Sequence, residues 1–237
     1  MKVKLISHST APADSELDNV QDLIAYCAKV SNPNNQINKE TSERLIKYLI
    51  KHAHWSPLEM VSACLEIETT RDIAHQIVRH RSFAFQEFSQ RYAEPGEMGD
   101  AFTIRECRLQ DHKNRQNSID IEKDPATQAD SKTVELITDW QRKQHGIINQ
   151  AREDGIINQA REVYEWAIEN GIAKEQARVV LPEGLTKTRL YMNGSIRSWV
   201  HYIELRGANG TQKEHMEIAH ACAKVIAEIF PLAGELV

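Results

Sequence analysis

The stretch that most constrains this chain is Arg79-His80-Arg81-Ser82-Phe83-Ala84-Phe85-Gln86-Glu87-Phe88-Ser89-Gln90-Arg91-Tyr92. It concentrates arginines, a histidine, a carboxylate and hydroxyls on one short segment, and the fold has to present them. Upstream, Arg71 to Val78 reads as a helix, with Ile73 and Ile77 on one stripe and Ala74 and Val78 beside it. That helix delivers the polar block to its own C-terminal end. At ~100° per residue, Arg79 and Arg81 point to nearly opposite sides of a continuing helix. Either they serve different partners or the helix ends between them. A basic helix end complementing its dipole is the plain alternative. The serine, carboxylate and Arg-Tyr that follow at fixed spacing argue for a site.

Charge narrows what such a site could hold. The chain of 237 residues carries a formal charge of -5, which does not suit a polyanion track. Residues 71 to 91 nevertheless hold Arg71, Arg79, Arg81 and Arg91 against Asp72 and Glu87. A cationic site in an acidic protein suits a small phosphorylated ligand. The length allows one large domain or two small ones with a real core. No apolar run reaches the ~18 residues of a membrane span, and Met1 to Ile6 is too short and polar for a signal peptide. A cytoplasmic protein without a membrane partner is the expectation. Cys27, Cys64, Cys107 and Cys222 show no paired metal spacing, so reduced thiols and no metal centre are expected.

Taken in order, Lys2 to Ser7 alternates as a strand, and Leu17 to Val30 reads as an amphipathic helix. Ser31-Asn32-Pro33-Asn34-Asn35 breaks the chain, and Thr41 to Ala53 resumes helix with Leu45, Ile46, Leu49 and Ile50 inward. There follows His54-Trp55-Ser56-Pro57-Leu58-Glu59, where proline fixes a turn and Ser56 is either a helix N-cap or a ligand contact. Val61, Ala63, Leu65 and Ile67 then alternate with polar residues as a half-buried strand. Residues 105 to 131 are polar with almost no apolar periodicity, and read as a mobile flap or a solvated loop.

Residues 146–153 and 155–162 both read Gly-Ile-Ile-Asn-Gln-Ala-Arg-Glu. A period of nine turns an α-helix by about 900°, leaving the second copy half a turn out of phase. The two Ile-Ile pairs cannot face one core along a straight helix, so Gly155 breaks it or one copy is a tolerated insertion. Helix resumes with Ile156, Ala160, Val163 and Ala167 inward and stops at Asn170-Gly171. Glu175-Gln176-Ala177-Arg178-Val179-Val180-Leu181-Pro182 follows. Asn193-Gly194-Ser195-Ile196-Arg197-Ser198-Trp199-Val200-His201-Tyr202-Ile203-Glu204-Leu205-Arg206 comes next, with Arg197 and His201 on one helix face. Gln212 to Phe230 closes the chain as an amphipathic helix, with Ala219, Cys222, Ala223, Ile226 and Ile229 packing inward and Pro231 stopping it.

Four of these segments together resemble the flavin-dependent thymidylate synthases. Arg79-His80-Arg81, seven residues and Ser89 match that family's signature, with Ala84 and Gln86 where it usually has Ser and Asn. His54 to Glu59, Ala177-Arg178 with Leu181-Pro182, and Arg197–His201–Arg206 match three further motifs. The resemblance runs from Val3 to about Ile229. It implies a single α+β domain over residues 1–237, with a mostly antiparallel sheet flanked by long helices. It also implies reductive methylation of dUMP to dTMP, with FAD as the flavin, and with NADPH and methylenetetrahydrofolate as co-substrates. The family assembles as a homotetramer with shared active sites.

Carried over residue by residue, the resemblance implies that Ser56, Arg79, His80, Arg81, Glu87, Ser195, Arg197 and His201 hold FAD. Asn193 is the alternative to Ser195. The dUMP set is Gln76, Arg79, Glu87, Ser89, Gln90, Arg91, Arg178 and Arg206. Arg206 is the catalytic residue, a guanidinium that stabilises the ionised pyrimidine; its plain alternative is a helix-end cation paired with Glu204. None of the four cysteines lies in the Pro-Cys context of the synthases that attack uracil with a thiol. There is no Gly-x-Gly-x-x-Gly, which argues against a Rossmann flavin site. The competing classes are a nucleic-acid-binding module using the basic helix end and a flavoprotein that oxidises NADPH without methyl transfer.

Overall fold

Alternation at residues 61–68 sets the main sheet. In this computed structural model, strand β2 (Ser62–Thr70) buries Ala63, Leu65 and Ile67, while the residues between them stay half exposed. The structure describes residues 2–111, 113–114, 116–120, 131–148, 155–170, 172 and 174–235. Strand β1 (Lys2–His8) pairs antiparallel with β2, with a register shift between Leu5 and Ser7. With β3 (Ala84–Glu87) and β6 (Lys187–Ser195) they form a four-stranded sheet in the order β1-β2-β6-β3. Strands β4 (Arg108–Gln110) and β5 (Ser118–Asp120) form a separate antiparallel pair. The fold is α+β, with an antiparallel sheet and flanking helices. Among the described residues, no helix is long and apolar enough to cross a membrane.

The chain divides into two compact units, and the divisions fall inside β2, β3, β6 and the helix α3 (Arg71–Ile77). The first unit comprises Met1–Glu68, Gln76–Gln86 and Leu190–Val237. It contains α1 (Val20–Ala28) packed on α2 (Ser42–Lys51), and α7 (Ile196–Gly207) packed on α8 (Lys213–Ala227). Helix α1 begins three residues later than the sequence predicts, because Asn19 caps it by accepting from Asp22 N at 3.0 Å. Helix α8 ends at Ala227, before Pro231, so Ile229 lies beyond it and is only half buried. Trp199 is fully buried and donates Nε1–H to Ala63 O at 3.0 Å, tying α7 to β2. Gly194 permits a close approach: a Cβ there would lie 2.4 Å from Phe83 Cδ1. Phe83 can therefore press onto the backbone of β6 and stack edge-on to Trp199 at 4.9 Å.

The second unit comprises Thr69–His75 and Glu87–Arg189. Helix α4 (Ser131–Ile148) packs on α5 (Ile156–Glu169), and α5 contacts the short helix α6 (Lys174–Ala177). Tyr164, Ala167 and Ala177 form its buried cluster, with Ile168 and Leu181 against it. Helix α5 buries Ile157, Ala160, Tyr164 and Ala167, whereas the predicted inward residues Ile156 and Val163 are 63% and 48% exposed. An Ile-Ile pair carries no phase of its own, and the aromatic Tyr164 selects the neighbouring face. Gly155 caps α5 in an extended conformation, so the second copy of the duplicated octapeptide opens its own helix. Much of the first copy, and Gly171, lie outside the described residues. In the polar segment 105 to 131, read as a flap or loop, β4 and β5 pair instead. His112, Arg115 and residues 121–130 of that segment lie outside the described residues. Arg105 anchors its start: Nη2 donates to Asp72 at 2.8 Å, to Thr70 Oγ1 at 2.6 Å and to Gly184 O at 3.3 Å.

Candidate active site

In the first unit, α3 ends at Ile77, so Arg79, His80 and Arg81 do not continue a helix. Arg79 and Arg81 both stand exposed, while His80 between them is half buried. His80 meets Arg206, in the last turn of α7, whose Nε donates to His80 Nε2 at 2.8 Å. That bond needs a bare Nε2, so His80 is neutral and carries its proton on Nδ1. Burial, and secondarily the Arg206 charge, hold its pKa down to about 4. The His80 ring stands edge-on to buried Tyr202 at 5.0 Å, and Tyr202 lies 5.8 Å from the ring of His215. Arg206 is thus joined through His80 to a buried aromatic and histidine cluster, rather than being held by Glu204 alone.

The other predicted residues of this unit gather around the 3-10 turn Ser56–Glu59. Proline in its first turn tightens the chain, yet the Ser56 hydroxyl makes no capping bond and is exposed, so the N-cap alternative does not hold. The exposed His201 ring packs on Trp55 at 4.3 Å between centroids, and Arg197, one turn earlier on α7, is paired with Glu59. Ser195 is the N-cap of α7 and accepts from Ser198 N at 3.2 Å, while Asn193 is exposed on β6. Gln76 makes a different set of contacts: its Nε2 donates to Gln212 Oε1 at 2.7 Å, and its Oε1 lies 3.2 Å from His215 Nδ1.

In the second unit, Glu87 is clasped by Thr188 Oγ1 at 3.0 Å and by Arg71 at 3.5 Å. Ser89 opens a turn in which Tyr92 N and Ala93 N donate to its carbonyl, and its Oγ accepts from Arg91 N at 3.3 Å. Gln90 is buried with its Nε2 lacking a partner, and the exposed Arg91 lies 5.9 Å over the Tyr92 ring. Arg178 begins the 3-10 turn Arg178–Val180 that follows α6, half buried.

Sequence reading missed Trp55, Glu59, Arg71, Thr188, Gln212 and His215 as neighbours of these residues. Glu59 was legible, since it closes the His-x-Ser-Pro-x-Glu segment. His215 was not, because it sits on a helix whose pattern reports only packing. Burial raises the pKa of all four thiols, Cys222 the most, so none is poised as a thiolate nucleophile. The donor set around Ser56 fits a dinucleotide flavin. The forked cation Arg197 suits a diphosphate, and the half-buried Trp55 packed on the exposed His201 beside the exposed Ser56 suits a ring.

The arrangement is that of a guanidinium braced by a neutral histidine, with the exposed cations Arg79 and Arg81 flanking that histidine in sequence. The family model described as "Thymidylate synthase complementing protein" matches residues 13–232. A probable flavin-dependent thymidylate synthase of Paramecium bursaria Chlorella virus 1 is 46% identical over 231 residues, 98% of this chain and 96% of that protein. A flavin-dependent thymidylate synthase of Synechocystis is 44% identical over 218 residues, 92% of this chain and 89% of that one. The fold is also that of a UMP/dUMP methylase PolB from Streptomyces cacaoi, with TM-score 0.69 and 22% identity over 99% of this chain and 93% of that chain. The chain belongs to the flavin-dependent thymidylate synthases.

Proposed function

We propose that the chain converts dUMP to dTMP in the cytoplasm, with FAD as its flavin, methylenetetrahydrofolate as carbon donor and NADPH as reductant. The observation that carries this reading is the bond from Arg206 Nε to His80 Nε2. With Nε engaged, the two Nη groups are left as a planar fork for two neighbouring acceptor atoms, such as those on one edge of a uracil ring. A preorganised cation at that edge favours the ring's anionic form, which its carbon needs in order to take up a one-carbon unit without a thiol attack. Neutral His80 serves this better than an imidazolium would, because it accepts from Arg206 and adds no competing charge.

Ser56, Arg79, His80, Arg81, Glu87, Ser195, Arg197 and His201 would hold FAD, which supplies the reducing electrons when bound. The exposed arginines and the Trp55–His201 pair are what support that assignment. Ser195 would contribute mainly by capping α7 and so directing Arg197 and His201. Arg79 and Arg206 would address the uracil ring, and Gln76 would contact dUMP beside the phosphate ligands. Ser89, Gln90, Arg91 and Arg178 would take the phosphate, with Glu87 beside them, held by Arg71 and Thr188. The assembly would be a homotetramer whose subunits share active sites.

The test is optical. Protein loaded with FAD and passed through gel filtration is expected to keep a flavin spectrum that NADPH bleaches. It should then form dTMP from dUMP only when methylenetetrahydrofolate is present. Colourless protein after filtration would overturn the reading.

A further inference from the structure

His215 is fully buried, yet its Nε2 has no hydrogen-bond partner. Leaving a buried acceptor or donor bare is costly, which makes the position one to explain rather than core filling. Its other nitrogen meets Gln76. A single carboxylate fixes the direction of every bond in this chain of side chains. Glu214 can only accept, so Gln212 turns its Nε2–H toward Glu214 Oε2, at 3.0 Å. The Oε1 of Gln212 then faces Gln76 and accepts from Gln76 Nε2 at 2.7 Å. That turns Gln76 Oε1 to His215, whose Nδ1 must be the donor at 3.2 Å. His215 is therefore the neutral Nδ1–H tautomer, and its bare Nε2 is an acceptor. Burial, then the charge of Arg206, then His80, keep it from protonating and hold its pKa down to about 3.

We propose that His215 is a positioning residue of the active site: its Nδ1–H locks the Gln76 carboxamide so that Gln76 faces the nucleotide with an N–H donor. His215 engages one lone pair of the Gln76 oxygen, and Gln212 takes one of its two amide protons. The second amide proton is left to meet an acceptor oxygen on the ligand. The inference rests on the reading above that Gln76 contacts dUMP, and it adds what sets the polarity of that contact.

Three measurements on the FAD-loaded protein test it. Nitrogen NMR of the histidine rings, with the His215 signals identified by their loss in His215→Asn, is expected to show a protonated Nδ1 and a bare Nε2 at pH 7. An Nε2–H tautomer or an imidazolium there would overturn the proposal whatever the substrate. Calorimetric titration with dUMP is expected to show roughly five- to tenfold weaker binding for His215→Leu, the effect of losing one net hydrogen bond. The nearly isosteric His215→Asn, whose amide N–H stands near the Nδ1 position, should recover most of that affinity. In steady state the His215→Leu loss should fall on the KM for dUMP rather than on kcat.

The double variant His215→Leu/Gln76→Ala should bind no worse than Gln76→Ala alone, since both remove one contact. Additive losses would mean that His215 only supports the fold and would sink the proposal. If Gln76→Ala itself left dUMP affinity unchanged, the assignment of Gln76 would fail instead, and the NMR result would still decide the tautomer.

Discussion

The two compact units hold their share of the signature in different ways. In the unit with residues 76–86 and 190–237, charged and polar groups are interlocked over a buried floor. Arg206 is braced by His80, Gln76 is held at both ends of its amide, and Tyr202 and His215 lie beneath them with no solvent exposure to speak of. In the unit with residues 87–189, Ser89 and Arg91 lie on a turn held by backbone bonds to the Ser89 carbonyl, and Tyr92 at its end is 79% exposed. The difference matches what each set is proposed to bind. A phosphate carries the same charge before and during reaction, so gripping it requires cations and hydroxyls but little exactness. A pyrimidine that gains charge during reaction requires a donor already in place, since reorganising it at that moment would raise the barrier.

The sharpest way to break the comparison is Arg206→Ala. Removing one preorganised donor to a developing anion costs ~3 kcal/mol, roughly a hundredfold or more in kcat. FAD binding and its bleaching by NADPH should survive, because Arg206 is not in the flavin set. Arg206→Lys should recover little, as an ammonium has no Nε–H to give His80 while presenting a planar fork. Stopped-flow bleaching alongside dTMP assays separates the two halves of the reaction. Near-normal turnover by folded, flavin-loaded Arg206→Ala at saturating dUMP would end the argument for this residue.

Acid sharpens the contrast next. His80 and His215 titrate at about 4 and about 3 in the folded chain, both below the ordinary histidine value near 6.5. Between these values the unfolded chain binds more protons than the folded one, so stability falls as pH falls below about 6.5. For the fully buried His215 this amounts to about 2 kcal/mol lost between pH 6.5 and 4.5. Denaturant melts across that window are expected to show the loss, and His215→Leu should flatten it. An unchanged slope in that variant would show that His215 is protonated in the fold.

The parts of this molecule that were readable in sequence are those governed by local period. The β2 alternation, the inward stripe of α2 and the turn at Pro57 all follow from neighbours a few residues apart. The buried face of α5 was misread because Ile156-Ile157 permits two phases and only Tyr164 decides between them. The β4–β5 pair was missed because its strands are polar and three residues long. The site divides along the same line. Arg79, His80 and Arg81 could be picked out by spacing, but their meaning lies in partners more than a hundred positions away. His80 meets Arg206 across 126 residues and Gln76 meets His215 across 139. No periodicity reports a pairing at that range, so His215 went unremarked in the closing helix.

Arg178→Ala tests the other side of the comparison and should give the smallest effect of the three. Arg178 lies half buried at the start of a 3-10 turn and is proposed to hold the phosphate. A charge-assisted bond of this kind contributes about 1.5–3 kcal/mol. Ser89, Gln90 and Arg91 would share the load, so a loss near the lower end is expected, about tenfold in dUMP affinity. Because phosphate is held alike in ground and transition states, the loss should appear in KM while kcat at saturating dUMP stays near normal. Deoxyuridine, which lacks the phosphate, supplies the control: its weak turnover should be indifferent to Arg178→Ala yet still fall with Arg206→Ala. If Arg178→Ala instead lowered kcat as Arg206→Ala does, the phosphate grip would be part of the preorganised charge. The two units would then not divide the work between binding and chemistry.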